Sequence, residues 1–189
     1  MDEELALSEA TGRMTNDEWG DALFRVIKRH ELSALLDLYR HLRDADAPLP
    51  ADDVLQQVWD DILQDPKMQV LVADLDGNLV ASCILAIIPN LTRGARPYGL
   101  VENVVTHPAH RRKGIGTRLL RHALQITWER NCYKVILLTG SKSEGTLRFY
   151  EQAGFRKGIK TGFIAMPEKT ECVADQATRD TQYERTPCD

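Results

Sequence analysis

Residues 101 to 121 read VENVVTHPAHRRKGIGTRLLR. A β-branched run, Val101, Val104, Val105 and Thr106, breaks at His107-Pro108. Arg111-x-x-Gly114-x-Gly116 then opens an amphipathic pattern carrying Ile115, Leu119, Leu120, Ala123 and Leu124. The order is strand, turn, glycine loop, helix. Such a loop presents unpaired backbone N–H groups at a helix N-terminus, where the positive end of the helix dipole also favours an anion. Glycine at 114 and 116 is expected to let the main chain approach that anion with no Cβ in the way.

Two familiar phosphate loops do not fit. The triphosphate loop has Lys-Ser/Thr directly after its last glycine, whereas Thr117-Arg118 follows Gly116; the dinucleotide fingerprint has a third glycine where this chain has Leu119. What remains resembles the acyl-CoA pyrophosphate loop of the GCN5-related N-acetyltransferases (GNAT). Further along, Tyr133 to Thr139 (YKVILLT) reads as a buried strand and Ser143 to Ala153 as a short helix closed by Gly154. Phe149 to Phe155 (FYEQAGF) is similar to the F/L-Y-x-x-x-G-F signature of the same family. The resemblance spans about residues 22 to 166 and is sharpest between about 100 and 156.

That resemblance implies an α/β fold, a mixed, mostly antiparallel, splayed central sheet flanked by about four helices. The rest of the chain supplies the elements. Ala22 to Lys28 alternates as a first strand, and Leu32, Leu35, Leu36, Leu38, Tyr39 and Leu42 make an apolar helix face. A second helix starts near Asp52-Asp53 and offers Val54, Leu55, Val58, Trp59, Ile62 and Leu63 for burial. Met68 to Leu75 and Asn78 to Ile88 form a hairpin about Asp76-Gly77. Residues 89 to 97 read as a loop, 99 to 106 as a strand, and 159 to 166 as a last strand. The expected organisation is a loose arm over 1–20, one domain over 21–166 and a mobile charged tail over 167–189.

Composition agrees with one enzyme-sized domain: 189 residues, 43% hydrophobic and 28% charged. A net charge of −4 offers nucleic acid no general attraction. Positive charge is local instead, with His107, His110, Arg111, Arg112 and Lys113 crowded at the glycine loop. The four cysteines, Cys83, Cys132, Cys172 and Cys188, lack metal-site spacing, and Cys83 and Cys132 read as buried, inert thiols, so no metal is expected. No run is long and apolar enough to span a membrane and no leader is visible, which makes the cytoplasm the expected location.

The resemblance also assigns roles. Acetyl-CoA is the implied donor, held through backbone N–H groups of Val104, Val105 and Thr106 and of Arg111, Arg112, Lys113, Gly114, Ile115, Gly116 and Thr117. Ser143 stands where the family has a CoA-bonding Asn. Tyr150 is the implied general acid for the leaving thiolate; the plain alternative is an amphipathic core tyrosine. Glu102 is either the base for the attacking ammonium or the ion-pair partner of an arginine. Its strand resembles the I/V-E-D-x-x-V strand of glucosamine-phosphate acetyltransferases, yet Asn103 replaces the Asp, which argues against an amino-sugar phosphate acceptor. Arg93, Arg96, Tyr98 and Asn103 are assigned to acceptor recognition, while Asp44, Asp46, Asp52 and Asp53 read as solvated. The expected reaction is direct acetyl transfer from acetyl-CoA to the primary amine of a small molecule. Acetylation of a protein N-terminus or lysine, and a non-catalytic CoA-binding regulatory module, are the alternatives. A homodimer through residues 159 to 166 is expected.

Overall fold

Asp76 and Gly77, at φ 52° and 82°, turn the chain between β2 (Met68–Leu75) and β3 (Asn78–Ile88). Positive φ at both positions of a two-residue loop is the hairpin geometry that matches the twist of the flanking strands. The computed structural model describes residues 22–42 and 47–167. Around the hairpin the sheet runs in the order β1, β2, β3, β4, β5, with β1 at Leu23–Val26, β4 at Tyr98–Thr106 and β5 at Val135–Leu137. The first four strands pair antiparallel and β5 joins β4 in parallel. This is the mixed, mostly antiparallel sheet expected from the sequence.

Both faces are covered, and β2 alternates between them. Leu71 and Ala73 join Cys83, Leu85 and Val101 beneath α4 (Ile115–Glu129), which contributes Ile115, Leu119, Leu120 and Ala123. Spacing of i, i+4 and i+8 at 115, 119 and 123 puts those side chains on one stripe. Each of these fully buried leucines is worth about 1.5–3 kcal/mol over an exposed one. On the other face Val70 and Val72 pack with Ile27, Leu35 and Trp59 under α1 (Leu32–Tyr39) and α2 (Asp52–Gln64). Arg25 closes the β1 edge by bonding both Glu31 and Asp74 at 2.6 Å.

Three expectations need correction. Val54 and Val58 on α2 are exposed, and Trp59 is the residue of that helix that is fully buried, its indole N–H donating to Arg29 O at 2.9 Å. The loop after β3 contains one turn, α3 (Thr92–Ala95), with Arg93 and Gly94 at positive φ. Residues 159 to 166 form no strand: they have no regular structure, and Ile159, Phe163, Ile164 and Met166 are exposed. The apolar positions there do not alternate and Gly158 turns at φ 76°, so the segment lacks the period a half-buried strand requires. The chain divides into two units at Ile159 and Lys160, and residues 160–167 are the described part of the second. The arm over 1–20, the tail beyond 167, and Asp44 and Asp46 lie outside the described residues.

Candidate functional site

A break in the β3–β4 ladder builds the site. Ile84 pairs with Glu102 and Ser82 with Val105, so Asn103 and Val104 together stand opposite Cys83. This is a β-bulge. Asn103 takes the left-handed conformation, φ 50°, that Asn tolerates best among non-glycine residues. On the other side of β4, pairing with β5 runs only from Gly99 to Val101, leaving the rest of that edge open. Beyond the bulge His107 N donates to Val80 O, so ladder alternation directs the N–H of Val105 to β3 and those of Val104 and Thr106 to the open edge.

The gap between the diverging strands is a cleft of about 180 Å³. Glu102, Asn103 and Val104 of β4 line it together with Thr139, just after β5, Tyr150 of α5 (Glu144–Ala153), and Leu42, just beyond α1. Glu102 is exposed and Tyr150 half-buried, its ring set against Phe149 at 4.9 Å and Phe155 at 6.4 Å. Burial pushes the Tyr150 phenol above its ordinary range, the Thr139 hydroxyl opposes that shift, and the Glu102 carboxylate adds to it. The phenol is therefore protonated at neutral pH, as a proton donor must be. Cys83, behind the bulge, is fully buried and its thiol is pushed up to about 12. It is inert packing, as is buried Cys132.

At the end of β4 the glycine loop turns into α4. Gly114 is the N-cap at φ 72°, with open space where a Cβ would stand. The N–H groups of Ile115, Gly116 and Thr117 have no helical carbonyl four residues back and point out of the helix end. Gly116 has a different reason for being glycine. It is buried, and a Cβ there would lie 2.8 Å from Thr106 Oγ1 and 3.1 Å from Phe149. The Arg111 side chain is turned away from the loop, its Nε donating to Thr106 O at 3.0 Å and its NH2 to His41 O at 3.3 Å.

The residues singled out in the sequence thus separate, and Val105, expected to offer its N–H to the cofactor, instead turns it to β3. Tyr150, Glu102, Asn103 and Val104 meet in the cleft; Thr106 and Arg111 to Thr117 adjoin it at the head of α4. Ser143 caps α5, its Oγ accepting from Thr146 N at 3.5 Å. Arg93, Arg96 and Tyr98 do not line the cleft. Arg96 instead donates to the carbonyls of Asn131 and Cys132 at 3.2 Å, and Lys134 sits over the Tyr98 ring at 5.0 Å. In the sequence Leu42 and Thr139 read only as parts of a helix face and a strand; they lie just past the ends of α1 and β5, where no local signal marks a lining residue. Among the described residues no group of His, Cys, Asp and Glu is arranged to hold a metal, and no helix is long and apolar enough to cross a membrane.

The profile of the acetyltransferase (GNAT) family matches residues 33–155. Among curated proteins, the glucosamine 6-phosphate N-acetyltransferase of Trypanosoma brucei brucei is 35% identical over 136 residues, 72% of this chain and 90% of that protein. A solved structure from Agrobacterium tumefaciens that carries an acetyltransferase name is 40% identical, with a TM-score of 0.71 over 76% of this chain and 99% of that one. The glucosamine-6-phosphate N-acetyltransferase of Arabidopsis thaliana, 19% identical, shares the fold with a TM-score of 0.65 over 79% of this chain and 99% of its own.

Proposed function

Since this chain belongs to the acetyltransferase (GNAT) family and is an N-acetyltransferase, we propose that its cleft moves an acetyl group from acetyl-CoA to the primary amine of a small molecule. The observation that carries the reading is the bulge at Asn103 and Val104. It brings an open-edge backbone donor, a carboxylate and a protonated phenol into one cleft, beside a helix N-terminus suited to a pyrophosphate.

The pyrophosphate is assigned to the N–H groups between Arg112 and Thr117, a fit supported by the open approach at Gly114. Acetyl-CoA, once bound, supplies a thioester whose carbonyl accepts negative charge as the amine adds. Val104 N–H stabilises that charge without reorganising, because the bulge has already turned it outward. Glu102 accepts the proton the ammonium loses, directly or through a water. As the new C–N bond forms and the C–S bond breaks, Tyr150 gives its phenolic proton to the departing sulfur and later regains one from solvent.

For the acceptor, Glu102 carries the one formal charge among the described residues that line the cleft. It suits an ammonium, whereas no cation among the described lining residues stands ready for a phosphate, so the proposed acceptor is an amine without phosphate. The test is release of free thiol from acetyl-CoA across an amine panel that includes glucosamine and glucosamine 6-phosphate. Turnover is expected with an unphosphorylated amine; a preference of tenfold or more in kcat/KM for the phosphorylated sugar contradicts the assignment.

Two further assignments go with this reading. A cytoplasmic place of action accords with the free thiols of Cys83 and Cys132. A homodimer would cover the exposed Phe163, Ile164 and Met166. Light scattering that gives the monomer mass of 21.4 kDa at micromolar concentration removes the dimer.

A further inference from the structure

The same guanidinium that leaves the glycine loop ties the end of β4 to the segment just beyond α1. Arg111 Nε donates to Thr106 O, the last residue of β4, and NH2 to His41 O, just beyond the last turn of α1. His41 also meets His107 edge to face, with ring centroids 4.7 Å apart, and His107 meets His110 at 5.7 Å. Directly after His41 comes Leu42, which lines the cleft. We infer that Arg111 is a positioning residue for the acceptor: it fixes the α1 end, and Leu42 with it, to the strand that presents the backbone donor, so that order at the cofactor loop reaches the acceptor wall. The inference rests on the reading of the cleft as an acetyl-transfer site.

The chemistry favours arginine for this task. His41 O lies just past the C-terminus of α1, near the negative end of the helix dipole, so a cation there is favoured. Two carbonyls from different elements are reached by two separate nitrogens of one rigid fork, which a lysine ammonium does not reproduce. Arg111 is also the residue at which the loop begins. Its main chain leads straight into the N–H groups assigned to the pyrophosphate, while its side chain holds α1. A phosphate that immobilises the loop therefore immobilises Leu42.

The experiment compares wild type with Arg111→Lys and Arg111→Ala, using acetyl-CoA and an amine found active in the panel. Both variants should raise acceptor KM by about 5- to 10-fold, while the acetyl-CoA Kd from calorimetry shifts much less. Hydrogen exchange gives an independent readout: in wild type, acetyl-CoA should slow exchange of the amides from Leu38 to Leu42, and in both variants that protection should be lost. An acetyl-CoA Kd that weakens tenfold with acceptor KM unchanged would show that the guanidinium serves the phosphates, and would overturn the inference. So would variants indistinguishable from wild type in KM and exchange. If wild type neither binds acetyl-CoA nor turns over any amine, the reading of the cleft fails and takes this inference with it.

Discussion

A Cβ on Gly116 would stand 2.8 Å from Thr106 Oγ1, closer than real Cβ atoms come to their neighbours. The second glycine of the loop is thus required by the packing of α4 against the end of β4 and Phe149, and the first by its φ of 72°. The two should separate on substitution. Gly116→Val is expected to lower thermal stability strongly, because the Thr106 and Phe149 side chains must move aside. Gly114→Val meets open space and should cost only about 1–2 kcal/mol of backbone strain, yet place its side chain where the pyrophosphate is proposed to approach. Thermal melts with calorimetry check this: a folded Gly114→Val that binds acetyl-CoA with wild-type affinity would remove the loop assignment.

The part-buried triad of Arg25, Glu31 and Asp74 predicts an acid dependence of stability. The hydrogen bond from Arg25, outweighing desolvation and helped by the Lys28 backbone N–H, holds the Glu31 carboxyl at about 2. A depressed carboxyl stabilises the fold above its unfolded pKa, and that contribution is lost as pH falls through the folded value. Glu31→Gln should therefore destabilise by about 1–3 kcal/mol at pH 7, with the difference shrinking between pH 4.5 and 2. Paired urea melts at pH 7 and pH 3 measure it. An equal difference at pH 7 and at pH 3 would show that the charge is not the cause.

Cys83 lies at zero exposure behind the bulge with its thiol at about 12, and Cys132 is buried with its thiol raised. Neither should react with iodoacetamide in the folded protein at pH 8, and both should react once it is unfolded. Peptide mass spectrometry after timed labelling decides this; rapid native labelling at Cys83 would mean that the strand behind the cleft opens.

Much of this was legible in the sequence because it follows from local chemistry. Asp76-Gly77 demands a tight hairpin, the stripe of Ile115, Leu119 and Ala123 demands a buried helix face, and Gly154 at φ 110° ends α5 as a C-terminal glycine should. The bulge was not legible. Nothing in Val101 to Thr106 says that Asn103 leaves the strand conformation, because that depends on register against Cys83 across the sheet. The reach of Arg111 to His41 joins residues 70 apart in the chain and was hidden for the same reason. Residues 159 to 166 misled in the opposite sense: their composition favours a strand, but no alternation gives the segment a face to bury.

Tyr150 and Glu102 share the cleft, and the account turns on whether the phenol delivers its proton to sulfur. The most direct measurement is the kcat of Tyr150→Phe, alongside its acetyl-CoA Kd. The account predicts a fall in kcat of about 10²- to 10⁴-fold with affinity nearly constant, since the lost interaction strengthens only in the transition state. A Tyr150→Phe enzyme that turns over within a few-fold of wild type would contradict it and leave Tyr150 as packing.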